Sequence, residues 1–256
     1  MSQPQIVKSE KFDVSKLEYQ EPKKLSHGGQ AIYVNYEGKP LILQTPKMNM
    51  PWGMGKFEGD IPKFSLDLSF KGMDSNPSLE SFYNAVNSLD EKLLDDGVTN
   101  SMTWFKKKKQ TKEVCKALYA PQIKVSKDKN GEPDGKYPPT MKVKVPWRDG
   151  SFQCDAYDSN KKMIEDDLSN VLVKGTQVQA LIQCIGMWFA GGKYGCSWKV
   201  VQMKLTPPAG IHGYSFIDDS DDEEDDVEQD DVDEVEKDEE DLIDDVLSDE
   251  DEDEDE

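Results

Sequence analysis

The clearest pattern in the chain is the strict alternation of Lys63-Phe-Ser-Leu-Asp-Leu-Ser-Phe70, which puts Phe64, Leu66, Leu68 and Phe70 on one side of an extended strand. Ala31–Tyr36 and Pro40–Thr45 are β-rich runs around Glu37-Gly38-Lys39, the pattern of a hairpin. From Thr45 to Pro62, prolines and glycines predict a loop. A helix should follow: Asn76 can cap it, Pro77 suits its first turn, and Leu79, Phe82, Tyr83, Val86, Leu89 and Leu93 recur at helical spacing up to Gly97. A second helix is expected over Thr111–Tyr119, with Val114, Cys115, Leu118 and Tyr119 on its apolar side and Lys109, Lys112 and Lys116 on another. The remainder reads as β. Ile123 and Val125 flank Lys124, and Met141–Val145 turns Lys142 and Lys144 to solvent. A strand near Phe152–Tyr157 and a short helix near Met163–Val171 come next. Thr176–Phe189 and Cys196–Leu205 then form a hairpin around the glycine-rich Ala190–Gly195. About seven short strands with two inserted helices predict a mostly β, α+β barrel or sandwich without βαβ alternation.

Charge divides this pattern in two. Of the 52 acidic residues, 28 lie in Asp218–Glu256 beside a single base, Lys237, so that segment carries −27. Residues 1–217 keep 24 acids against 30 bases, a charge of +6, and hold all 23 aromatic residues. The expected organisation is an irregular N-terminal arm at 1–25, a folded unit at 26–217 and a disordered polyacidic tail at 218–256. No stretch approaches the roughly 18 to 20 apolar residues of a membrane span, and the N-terminus shows no apolar signal core, so the reading is intracellular. Cys115, Cys154, Cys184 and Cys196 are widely spaced and form no Cys-x-x-Cys pair, which favours buried thiols over disulfides or zinc ligands.

Catalytic signals are poor. His27 and His212 lie beside glycine at opposite ends of the folded unit, outside any metal-binding spacing. Gly53-Met-Gly55-Lys56 and Gly191–Ser197 share composition with phosphate loops but lack their order. No cofactor, metal or small-molecule substrate is expected.

Nucleic-acid chemistry fits better, because single-strand binders need cations along the phosphates and flat rings under the bases. Three clusters offer both. Trp104 and Phe105 precede Lys106, Lys107, Lys108 and Lys109, with Lys112 just beyond; Lys142 and Lys144 lead to Trp147 and Arg148; Trp188 is followed by Lys193, Tyr194, Trp198 and Lys199. The plainer interpretation stands beside it: a lysine run is usually solvated surface, and any one tryptophan is more often core than platform. Trp188 shares parity with Val178, Ala180 and Ile182, which points it inward. Thirty lysines against one arginine predict phosphate contact with little base reading.

The tail is solubilising at the least. At −27 it can also occupy a cationic groove in place of phosphate, and Leu242, Ile243, Val246 and Leu247 interrupt its acids at near-helical spacing, as a partner-binding patch would. Ser220 and Ser248 precede acidic runs, the context of acid-directed phosphorylation.

Two segments carry a resemblance. Pro40-Leu-Ile-Leu-Gln-Thr-Pro-Lys-Met48 with Pro51-Trp-Gly-Met54, and Gly186-Met-Trp-Phe-Ala-Gly-Gly-Lys-Tyr-Gly-Cys-Ser-Trp198, resemble the single-stranded-DNA-binding proteins of large double-stranded-DNA viruses of eukaryotes. That resemblance covers about residues 28–206. It implies an OB-fold core, single-stranded DNA as partner, and a role in viral replication, recombination or repair, in the host nucleus or a cytoplasmic viral factory. Replicative single-strand binders often end in a short tip containing apolar residues, whereas this chain ends Asp251-Glu-Asp-Glu-Asp-Glu256, so recruitment of replication or repair proteins falls to Leu242–Leu247. The competing readings are an acidic histone chaperone, which would want acid on the folded unit as well, and a scaffold whose tail alone acts.

Overall fold

A computed structural model of the chain describes residues 5–25, 28–59 and 61–208. The acidic segment with Leu242, Ile243, Val246 and Leu247 lies outside the described residues, as do His27 and His212. We label the principal elements β1 (Ile42–Gln44), β2 (Met48–Asn49), β3 (Lys63–Ser69), α1 (Pro77–Thr99), α2 (Ser101–Phe105), α3 (Lys112–Leu118), β4 (Thr140–Val145), β5 (Gln177–Ala190) and β6 (Lys193–Thr206). The described chain is mostly β, and none of its helices is long and apolar enough to cross a membrane.

Strand pairing returns to its starting point. β2 pairs with β3, β3 with β4, β4 with β6, β6 with β5, and β5 with β2 again. All are antiparallel except β4–β6, which meet in parallel at Lys144 and Lys199. The alternation in β3 drives this arrangement: Phe64, Leu66 and Leu68 are buried, opposite Val145, Val143 and Met141 of β4. Ile182 and Val200, on β5 and β6, are buried in the same core.

β5 and β6 form the longest ladder, joined by Gly191-Gly192 alone. Both glycines have positive φ (57° and 80°), as a tight two-residue hairpin turn requires, so the loop is shorter than the sequence suggested. The ladder slips twice, between Leu181 and Ile182 and between Cys184 and Gly186. The second slip reverses the parity of β5. Met187 joins the main core, while Trp188 turns to the opposite side and packs with Leu25 and Ala31 in a separate small cluster. Gly186 makes the bulge feasible, since a Cβ there would sit 2.6 Å from the carbonyl oxygen of Ile32.

α1 covers one end of the sheet. Its cap is as expected: Asn76 Oδ1 accepts from the backbone N–H of Ser78 (3.1 Å) and Leu79 (3.4 Å). Leu79, Phe82, Val86, Leu89 and Leu93 are buried, each contributing about 1.5–3 kcal/mol of apolar burial. Phe82 stacks on Phe70 at the end of β3. Gly97 does not stop the helix, which runs to Thr99. Its missing side chain instead admits Tyr194, whose hydroxyl would lie 3.1 Å from a Cβ.

Several boundaries differ from expectation because pairing partners lie far away in sequence. Within the expected arm, Ile6–Lys8 pairs in parallel with β1, Leu17–Tyr19 with Val34–Tyr36, and Val7 and Leu17 are buried. The expected first hairpin is reduced to Val34–Tyr36 against Lys39–Pro40, while β1 leaves it for β5. The expected loop at 45–62 contains β2 and a strand at Met54–Phe57 that extends the ladder of β3. The helix near 163–171 is only Leu168–Val171, and the strand near 152–157 divides into Ser151–Phe152 and Asp155–Tyr157.

Candidate nucleic-acid interface

Register assembles the outer face of the strand cycle. Gly55, Ser65, Lys144, Lys199 and Gln183 stand side by side across Met54–Phe57, β3, β4, β6 and β5. At strand spacings near 4.8 Å this row is roughly 19 Å long. Neighbouring rows add Lys63 beside Phe57, and Lys142 beside Asp67, a carboxylate facing the same way. Lys63, Lys142, Lys144 and Lys199 are all half-buried, their stems lying on the sheet because the alternating residues Phe64, Val143, Val145, Trp198 and Val200 point into the core. Among the sequence-predicted residues, Lys142, Lys144 and Lys199 are thus brought together although some 55 positions separate the two strands' lysines.

A second gathering lies at the β5–β6 turn. Phe105 packs edge-on against Phe189 (5.7 Å) and Tyr194 (5.0 Å), and Trp104 against Phe189 (6.1 Å) and Tyr19 (5.1 Å). This joins the cluster at 104–109 to the cluster at 188–194 and brings exposed Lys106, Lys107, Lys108 and Lys109 to the neighbourhood of exposed Lys193. The lysine run is folded rather than extended. Lys106 and Lys109 have positive φ (56° and 44°), Lys106 Nζ donates to the Thr103 carbonyl (3.0 Å), and the Gln110 N–H donates to Ser101 Oγ (3.1 Å). Lys112 stands apart from this group: it ion-pairs with Glu91 (2.9 Å) and Asp95 (2.7 Å) on α1, and those carboxylates raise its pKa.

Four of the predicted stacking rings are core residues here. Trp104, Trp188, Tyr194 and Trp198 are buried, the last with 2 % of its surface exposed. The indole N–H of Trp198 donates to Gln122 Oε1, the satisfied partner a buried indole needs. Gln122 and Tyr119 in turn donate to Asp90, the latter at 2.6 Å. Burial raises the pKa of Asp90, and the bonds from Tyr119 and Gln122 counter only part of that effect. Trp188 lies flat over Gly195, where an added Cβ would meet its ring at 2.6 Å. Trp147 is half-buried against Phe64 (5.1 Å) and Phe152 (4.6 Å), while Arg148 is exposed beside the Asp149-Gly150 turn.

The aromatic rings with most exposed surface are elsewhere. Among the described residues Trp52 is 65 % exposed, Tyr137 52 % and Phe57 40 %; Trp52 and Phe57 lie in the segment leading into β3, whereas Tyr137 lies in the loop before β4, beside Lys136. Neither Trp52 nor Phe57 belongs to a cluster of basic residues in sequence, although Pro51-Trp-Gly, a bulky ring between two turn-formers, is a signal for a ring held off the surface.

The described residues offer no group of three or more His, Cys, Asp or Glu side chains placed to hold a metal. Three of the thiols are shifted away from the reactive thiolate. Burial raises Cys115 and pushes Cys154 up to about 12, and Cys196 is raised by its contact with Cys184, whose sulfur lies 3.4 Å away, and by burial.

Residues 73–218 match a family of unknown function, DUF5871. The chain belongs to that family. The DUF5871 match begins at the turn before α1 and includes β4, β5 and β6 with Lys142, Lys144 and Lys199, while β1 to β3, Trp52 and Phe57 precede it. No curated protein matches the sequence. Among solved structures, the chain is similar to the single-stranded DNA-binding protein from bacteriophage Enc34 in complex with ssDNA, at 12% identity and a TM-score of 0.43 over 77% of this chain and 99% of that one. It is also similar to gp2.5, a single-stranded DNA binding protein encoded by bacteriophage T7, at 13% identity and a TM-score of 0.43 over 67% of this chain and 89% of that one.

Proposed function

We propose that the protein is a non-enzymatic, largely sequence-independent single-stranded-DNA-binding protein built on an OB-like barrel. The observation that carries this reading is the outer row through Ser65, Lys144, Lys199 and Gln183, which lines up lysines from two strands on one regular, half-buried surface. Lysine meets phosphate as a point charge, so such a row follows a backbone without reading bases. The pairing cycle supports the barrel: five strands, with the third and fifth parallel, give a Greek-key closure whose strand 2–3 face is a common oligonucleotide surface. Lys193 and Lys106–Lys109 extend the basic surface; Lys193 lies six residues from Lys199 along β6, about 20 Å away.

The acidic tail acts as an intramolecular competitor for this surface, and its Leu242–Leu247 patch recruits replication or repair proteins. The viral setting follows from the resemblance of the Pro40–Met54 and Gly186–Trp198 segments.

The test is fluorescence anisotropy of labelled oligo-dT of about 30 nucleotides, a few footprints on known single-strand site sizes, with full-length protein and a 1–217 truncation. Tight binding that strengthens on truncation is expected, with affinity falling by about 0.7 log units per log unit of salt for each phosphate neutralised. Absence of binding by both forms would overturn the reading and direct the next titration to histones.

A further inference from the structure

The cationic row ends at Gly55, two positions before exposed Phe57 and three after exposed Trp52, and this inference rests on the single-strand reading above. We propose that Trp52 and Phe57 are base-stacking residues that flank the end of the row.

Phe57 is fixed by register. It sits opposite Lys63, two positions along the strand from Gly55, and therefore shares the face of Gly55, Ser65, Lys144 and Lys199. Gly55 brings no side chain to that face; a Cβ there would lie 3.2 Å from Ser65 Oγ, so a shallow floor is left between Phe57 and Lys144. Trp52 lies three residues before Gly55, at most about 10 Å away along the chain.

The mount of Trp52 is rigid although its ring is bare. Met50 N–H donates to the Thr176 carbonyl (2.9 Å), Gly175 N–H to the Met50 carbonyl (2.8 Å), and Met54 N–H to the Leu172 carbonyl (2.8 Å). Gly53, at φ 83°, presses so closely on residues 172–174 that a Cβ would meet Leu172 O and Lys174 N at 3.1 Å. A tryptophan ring bracketed by tied backbone and 65 % exposed gains nothing for the fold from that exposure. It loses little backbone entropy when it meets a flat ligand.

Charge decides the occupant. Phe57 stands opposite half-buried Lys63, and the row beside it runs from Gly55 through Ser65 to half-buried Lys144 and Lys199, with Asp67 as the carboxylate of that face among the paired positions. A polyanion with unstacked planar groups matches both features. A duplex hides its base faces, and an apolar protein helix would bury the lysines without phosphate. The occupant is therefore single-stranded nucleic acid, its phosphates on the row and its bases against Trp52 and Phe57.

Intrinsic fluorescence tests this, because Trp104, Trp188 and Trp198 are buried and Trp147 is half-buried. Full-length protein is titrated with unlabelled oligo-dT for tryptophan quenching, and with labelled oligo-dT for affinity. The wild type should show quenching on binding. Trp52→Phe should keep most of the affinity while losing most of the quenching, and Trp52→Ala with Phe57→Ala should bind about tenfold or more weakly at an unchanged salt slope. Thermal unfolding of each variant should match the wild type, since the rings are exposed. Wild-type affinity in the double alanine variant, or undiminished quenching in Trp52→Phe, would overturn this assignment while leaving the single-strand reading intact. No binding by the wild type would instead remove that reading, and this inference with it.

Discussion

The β5–β6 tip and the outer face of β3, β4 and β6 deploy lysine in different ways. At the tip, Lys106–Lys109 and Lys193 ride on turns around a closed aromatic cluster, and nearby Lys112 is neutralised by Glu91 and Asp95. On the face, Lys142, Lys144 and Lys199 project from paired strands whose spacing the ladder fixes. A long side chain on a turn gives up more freedom when it meets a phosphate than one whose stem already lies on a sheet. Local density of positive charge is therefore a poor guide to where a backbone is held. The face should dominate affinity, and the tip should chiefly speed encounter.

This comparison can be broken. The largest effect should come from Trp198→Ala, which removes a core ring and the N–H partner of Gln122 and should destabilise the fold by about 4 kcal/mol. Chemical denaturation measures that loss, and the residual folded protein should retain oligo-dT affinity; weakened binding at unchanged stability would return Trp198 to the interface. Next, joint replacement of Lys142, Lys144 and Lys199 by alanine should weaken oligo-dT binding about 100-fold and flatten the log–log salt slope by about 2, at roughly 0.7 per lysine. Lys106–Lys109 to alanine should cost less than about tenfold, with most of the change in association rate. Equal losses in the two sets would erase the distinction drawn above.

The smallest effect sharpens the core side of the comparison. Asp90 is buried, and its pKa is raised above the ordinary 3.8 chiefly by that burial. The folded chain therefore holds a proton at pH values where the unfolded chain has released it. Stability from this group is fully present below the ordinary value and falls as pH rises through the raised one. The stability of the wild type relative to Asp90→Asn should accordingly decline as pH rises from about 4, as read by parallel denaturant titrations. A difference that grows with pH would mean the carboxylate is stabilised rather than strained by its site.

Some of the molecule was legible from residues alone. The alternation of Phe64, Leu66 and Leu68 set the buried side of β3, Asn76-Pro77 marked the start of α1, and the glycine-rich Ala190–Gly195 segment marked the hairpin between β5 and β6. Each is a local matter, because side-chain direction along a strand, the first orphan N–H groups of a helix, and positive φ depend on a few consecutive residues. The lysines of the outer face could be named from sequence for the same reason, as residues alternating with core.

Sequence alone could not bring those lysines together or separate useful rings from structural ones. The parity of Trp188 with Ile182 was sound until the slip at Cys184/Gly186, which depends on the close approach of Ile32 from another strand. Trp198 and Tyr194 turned inward because α1 and the chain at Tyr119–Gln122 cover them. Trp52 was passed over because its neighbours in sequence are not basic; the strand that follows it, Met54–Phe57, meets Lys63 and Lys144 only through β3 and β4. Composition and periodicity determined which residues could bind a polyanion and which way each strand faces. Register and long-range packing decided which of them share a surface, because pairing energy is spent between segments that the sequence keeps far apart.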